Sequence, residues 1–228
     1  MRTNGFVLLL LALFLVMFPF SVQAATPESL IKDSINMLNE MMKQDDAKSM
    51  ADVIDGAKAI AFVPSMVKAG FVLGAEYGEG LVLRRENKKW YGPAFYNLSG
   101  GSLGLQIGAQ KIALALVVIN DAGVNAFLKS KTKLGADVAV AAGPVGRKGE
   151  AATDARMKAS IYSYSMTKGL FAGLSLDGAV ISISVKRDQE YWKKEISAAD
   201  ALKVRATDKR ILPLIQAIES ISKKAKKK

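Results

Sequence analysis

The sequence predicts an α+β fold, with a glycine-rich antiparallel β-sheet or partial barrel at its core and helices flanking it at both ends of the chain. Three observations carry this. Apolar residues recur at helical spacing before about Gly56 and again from Ile211 to Ile221; short apolar runs separated by glycine fill the stretch from Ala59 to about Val185. The third is that the 228 residues contain no cysteine and are 50% hydrophobic, so the fold must be held by a packed core.

The chain opens with Arg2, the apolar run GFVLLLLALFLVMFPF and the small-residue pattern Val22-Gln23-Ala24, the form of a secretory signal peptide cleaved after Ala24. The uninterrupted apolar run is shorter than the roughly 18 residues of a membrane-spanning helix. The expected organisation is therefore a signal peptide over 1–24, a domain over 25–196 that includes the N-terminal helices, and a C-terminal helix with a basic tail over 197–228. Export to a periplasmic or envelope-associated location follows from the signal. Cleavage removes only Arg2 among the charged side chains, so the balance goes from +11 to +10. Such a charge favours phosphate-rich surfaces, including anionic membranes and nucleic acid.

Thr26 and Pro27 fit the N-cap and first position of a helix, with Glu28 in its first turn. Leu30, Ile31, Ile35, Leu38, Met41 and Met42 then form an apolar face. That face suits packing on the domain or shallow insertion at a membrane surface. Asp45 or Asp46 is expected to cap a second helix running through Met50, Val53 and Ile54 to about Gly56. Strands are expected near 60–63, 70–77, 80–85, 94–98, 102–108 and 112–119, with Glu86-Asn87-Lys88-Lys89 as the turn that breaks the series. A short helix over 121–128 precedes further strands near 137–141, 160–165, 170–175 and 179–185. Ser197-Ala-Ala-Asp200 reads as a helix start, and Ile211, Leu214, Ile215, Ile218 and Ile221 mark the last helix. The chain ends in KKAKKK.

The stretch GGSLGLQIGAQ, from Gly100, has the composition of a phosphate cradle but lacks its Lys, its hydroxyl and its following helix. The run KIALALVVIN after it reads as a strand, so its glycines are expected to mark a bulge, a bend or a close approach of another backbone. Histidine and cysteine are both absent, which removes Ser-His-Asp and Cys-His nucleophiles and the usual His/Cys zinc sites. Ser-x-x-Lys occurs at Ser29, Ser65, Ser130, Ser165 and Ser220, as often as a lysine-rich chain makes it, and has no SDN or KTG companion. No enzyme activity, metal or cofactor is expected. Neither is nucleic acid as a partner, because no recognition motif accompanies the charge.

Four stretches in order, PSMVKAGFVLGAEYGEG from Pro64, GGSLGLQIGAQ, KLGADVAVAAGPVGR from Lys133 and SYSMTKGLFAGLSLDGA from Ser163, resemble the SYLF domain family. That family is also described as the yeast actin-patch type of actin-binding domain. The resemblance spans about 59–179. It implies a glycine-rich β core with helices around it, acting as a non-catalytic binding domain. Eukaryotic members are associated with phosphoinositide-containing membranes and actin assembly, and bacterial members are exported.

The leading expectation is thus a lipid-binding module on anionic phospholipid membranes of the cell envelope; the alternative is a protein-binding or scaffolding module of the envelope. Candidate anion-binding residues are Lys129, Lys131 and Lys133 in a short basic connection, Arg147 and Lys148 in a Gly-Pro-Val-Gly loop, and Lys68 and Lys168 within the matched motifs.

Overall fold

The computed structural model describes residues 25–44, 47–144 and 159–226, with the backbone path alone at 48, 70–73, 102–109 and 224–226. Helices α1 (Pro27–Met41) and α2 (Lys48–Asp55) lead into two long strands, β1 (Ala59–Glu86) and β2 (Lys89–Val118). Then come α3 (Asp121–Asn125), β3 (Lys131–Lys133), β4 (Val140–Ala142), β5 (Ile161–Thr167), β6 (Leu170–Gly173) and β7 (Val180–Ile183), followed by α4 (Val185–Trp192), α5 (Ala198–Ala201) and α6 (Leu212–Lys226). The signal segment, Asp45, Asp46, Arg147 and Lys148 lie outside the described residues.

The β1–β2 hairpin organises everything else. It turns at Asn87 and Lys88, both at positive φ (49° and 61°), as a two-residue hairpin turn requires. Where the sequence predicts six strands there are two, because the intervening glycines bend the strands without ending them. Register shifts fall between Val63 and Met66, Gly70 and Val72, and Val82 and Arg84. The glycine-rich stretch from Gly100 is strand: Gly100, Gly101 and Ser102 pair with Glu76, Ala75 and Gly74, and Gly108 pairs with Gly70. No phosphate cradle forms there.

The bends fold the sheet over itself into a half-barrel. A Cβ on Gly80 would lie 2.3 Å from the Phe62 carbonyl oxygen, and one on Gly78 would lie 2.4 Å from Val63 Cγ1. Glycine is required at both because the later half of β1 crosses the earlier half with backbone almost touching backbone. β2 pairs with β1 along one edge and, along the other, with β7 at 96–99 and β5 at 113–118; β3 extends the sheet from β7, and β4 and β6 flank β5. The sheet is antiparallel as expected, except that β4 runs parallel to β5.

Both faces of this sheet are buried, which explains runs such as AIAFV and LALVV that do not alternate with polar residues. Ile60, Phe62, Leu81, Leu83 and Val117 face a core completed by α1, α2 and α6; Ala61, Val63, Val82, Leu116 and Val118 face the half-barrel interior with Tyr96, Phe127 and Ile181. The last helix is part of the first of these cores: Ile211, Leu214, Ile215, Ile218 and Ile221 are all buried against α1 and α2 residues.

Local signals hold at several ends. Thr26 caps α1 by accepting from the Ser29 N–H at 3.1 Å, and Ser197 caps α5 by accepting from the Asp200 N–H at 3.0 Å. The second helix has Ala47 at its N-cap, without a side-chain hydrogen bond, and the expected caps Asp45 and Asp46 lie outside the described residues. The predicted strand over 179–185 stops at Ile183, where Val185 begins α4, a helix whose polar sequence VKRDQEYW hid it.

A candidate binding face on the edge strand

β3 is three residues long and has β7 as its one strand neighbour. Thr132 points inward, 2% exposed, and its hydroxyl donates to the Ala126 carbonyl at 2.8 Å. The alternation of a strand therefore places Lys131 and Lys133 together on the outward face, with exposed Lys129 just before them. The backbone N–H of Lys133 donates to Asp137 Oδ2 at 2.7 Å, fixing the turn beyond the strand. A run that the sequence offered as a loop is thus a strand that presents its lysines in a row.

The other candidates are not gathered there. Lys68, on β1, pairs with Glu76 at 2.8 Å. Lys168 occupies the β5–β6 turn at φ 49°, next to Gly169 at φ 80° and to Leu170, which is 76% exposed. β5 joins β2 at 113–118, whereas β3 reaches β2 through β7 at 97–99, so Lys168 and the β3 lysines hang from different stretches of the hairpin.

The apolar face of α1 is already occupied. Leu30, Ile31, Leu38 and Met41 are buried in the helix-side core, and Ile35 and Met42 pack against it. In this conformation the face takes the packed one of the two roles the sequence offered, against β1 and α6.

Other charged groups satisfy one another or lie inside. Arg210 stacks 3.9 Å from the centre of the Tyr191 ring and pairs with Asp208 at 2.7 Å and Glu28 at 3.0 Å. Hydrogen bonding to Asp208 raises its already high pKa. Asp188 is fully buried; its Oδ1 accepts from the Phe95 N–H at 2.9 Å, tying α4 to β2, and burial pushes its carboxyl up to about 7. Neither Arg210 nor Asp188 announced itself in the sequence, since both lie in polar stretches without a motif.

The hydroxyls of Ser29, Ser165 and Ser220 donate to the carbonyls of Thr26, Ala172 and Ala217, so these Ser-x-x-Lys spacings direct their hydroxyls to backbone. Among the described residues no group of three or more acidic side chains is placed to hold a metal ion, and no helix is long and apolar enough to cross a membrane.

Comparison with known proteins agrees with the motif reading. A family model described as Ysc84, "Las17-binding protein actin regulator", matches residues 99–221, which run from the middle of β2 to α6. The chain is 36% identical over 154 residues to the rat "SH3 domain-containing YSC84-like protein 1" and 34% identical over the same length to the human one, in each case 67% of this chain and 45% of the relative. It is 30% identical over 174 residues, 74% of this chain and 38% of the relative, to "LAS seventeen-binding protein 3" of Saccharomyces cerevisiae. The chain thus spans less than half the length of these curated relatives. With a match over more than half its residues, covering most of the sheet and the closing helix, the chain belongs to the Ysc84 family.

Proposed function

We propose that this chain is a non-catalytic binding module of the cell envelope, reached by export, and that it engages a protein partner carrying an acidic segment. Family membership carries the reading, because the family description names a Las17-binding regulator of actin and the yeast relative's name records the binding of a protein. The Lys129, Lys131 and Lys133 row supports it as the contact surface: two exposed cations on an edge strand anchored by the buried Thr132, and a third just before it. Actin belongs to the family description and Las17 to that description and the yeast relative's name; for this chain the proposed partner class is an acidic protein surface.

A second reading, binding to anionic phospholipid, is favoured by one observation, the exposed Leu170 beside Lys168 at a turn tip, together with the net charge of +11 and the terminal KKAKKK. The two are separated by one experiment on the mature chain. Crosslinking capture from delipidated envelope extract is run beside co-sedimentation with neutral and anionic phospholipid vesicles, at low and high salt, for the parent and a Lys131→Glu/Lys133→Glu variant. The protein reading expects a reproducible partner in the delipidated extract that the variant loses about 10-fold or more, at on the order of 1 kcal/mol per contact. Selective, salt-sensitive vesicle binding with no captured partner would overturn it in favour of the lipid reading.

A further inference from the structure

Glu79 on β1 and Arg187 and Glu190 on α4 form a cluster beside the point where the chain enters α1. Arg187, with a side chain only 6% exposed, donates through Nη1 to Glu190 Oε2 at 2.7 Å and through Nη2 to Glu79 Oε1 at 3.3 Å. Two carboxylates against one guanidinium leave this group one negative charge in excess, and Glu79 is itself only 18% exposed. Its second oxygen, Oε2, accepts from the backbone nitrogen of Ala25 at 3.0 Å. Ala25 is the residue that the pattern Val22-Gln23-Ala24 places directly after the cleavage position.

We propose that Glu79 is a built receptor for the processed N-terminus: cleavage after Ala24 turns the Ala25 nitrogen from a neutral amide into an ammonium, which supplies the charge the cluster lacks. An amide offers one donor and no net charge. The ammonium offers three donors and one positive charge, bringing Glu79, Arg187 and Glu190 to neutrality in a partly desolvated position where opposite charges attract strongly.

The site also has to overcome an opposing field, because a cation at this point faces the positive end of the α1 dipole. Glu28, the acid in the first turn of α1, is held by Arg210, so the compensating anion is Glu79. Tyr77, the other titratable neighbour of Glu79, has its pKa raised by burial and by the Glu79 charge, and so stays neutral near pH 7. Processing therefore does more than remove the signal segment: it completes an ion cluster that pins the start of α1 to β1 and α4.

The test begins with intact mass of the exported protein, which is expected to start at Ala25. Thermal melting then compares the free amine with the selectively N-acetylated protein, in the parent and in Glu79→Gln. Acetylation is expected to lower Tm by about 2–4 °C in the parent and by less than half of that in the variant, where the carboxylate is gone. The α-amine pKa, read from the pH dependence of its acylation rate, is expected above the ordinary value of about 8 in the parent and near it in Glu79→Gln. If Glu79→Gln does not fold, Glu79→Asp, which withdraws the carboxylate by one methylene, takes its place. An exported chain starting elsewhere, or an acetylation effect and α-amine pKa identical in parent and variant, would overturn the proposal.

Discussion

Raising the pH from 5 to 7.5 is expected to weaken this fold through a single carboxyl, that of Asp188. The side chain is 0% exposed, Oδ1 has the Phe95 N–H, and Oδ2 has no hydrogen-bond partner. Burial raises its pKa from 3.8 to about 7, with the Phe95 hydrogen bond pulling the other way. Between those values the folded chain keeps a proton that the unfolded chain has released. Stability from this group is therefore greatest below about pH 4, falls as pH rises to about 7, and is flat above it. The whole shift corresponds to on the order of 4 kcal/mol, of which about 2 falls between pH 5 and 7. That is a Tm decrease of about 4–8 °C for a chain of this size. The chain has no histidine to titrate in this window, and Glu28, Asp200 and Asp208 have lowered pKa values.

The diagnostic variant is Asp188→Asn. It keeps the acceptor for Phe95, cannot ionise, and buries an NH₂ group at a cost of about 1–3 kcal/mol. At pH 5 it is expected to melt below the parent; by pH 7.5 the gap closes or reverses, and its own Tm is nearly independent of pH across the window. Circular-dichroism melts at pH 5, 6, 7 and 7.5 read both curves. Parallel pH profiles for parent and variant, or a parent whose Tm rises with pH, would refute the reasoning.

The remaining predictions concern the hairpin. Gly80→Ala places a Cβ 2.3 Å from a backbone carbonyl and 2.9 Å from the Tyr96 ring, so it is expected to cost about 2 kcal/mol or more in urea denaturation; a neutral effect would mean the two halves of β1 do not cross so closely. Lys88→Gly removes a side chain from a left-handed position at the tip and is expected to stabilise by about 0.5–1 kcal/mol, seen as a higher urea midpoint with an unchanged slope.

Sequence patterning located the two kinds of structure because their periods differ so plainly. The α1 apolar positions and the Ile211–Ile221 series are one-sided, and each was placed in its helix; Thr26 and Ser197 were identified as caps by side chains that have local work to do. What patterning missed is non-local. Glycines at 70, 78 and 80 read as strand boundaries, because nothing in the local sequence distinguishes a glycine that ends a strand from one that lets another strand pass over it. Likewise the Lys129–Lys133 row was legible as charge but not as a strand, since three residues are too few to establish a period and the pairing with β7 spans about fifty residues of chain. The ion cluster of Glu79 with Arg187 was invisible for the same reason: its partners are 108 positions apart.

The placement of α6 has a consequence for the order of assembly. The β1–β2 hairpin has low contact order about its turn and can zip from Asn87-Lys88 outward as soon as both strands exist. The wall over its other face cannot close in this way, because α1 and α2 from the start of the domain meet α6 from its end. Until Leu214, Ile218 and Ile221 arrive, Leu38, Met41 and Ile54 lack part of their cover, and the half-built chain carries an apolar surface that invites association. A chain stopped before Leu212 is accordingly expected to retain strand signal in circular dichroism while binding a hydrophobic dye, and a dye-silent, cooperatively melting truncation would show that α6 is dispensable. α6 thus acts as a completion check, sealing this core only once the residues as far as Ile221 are present.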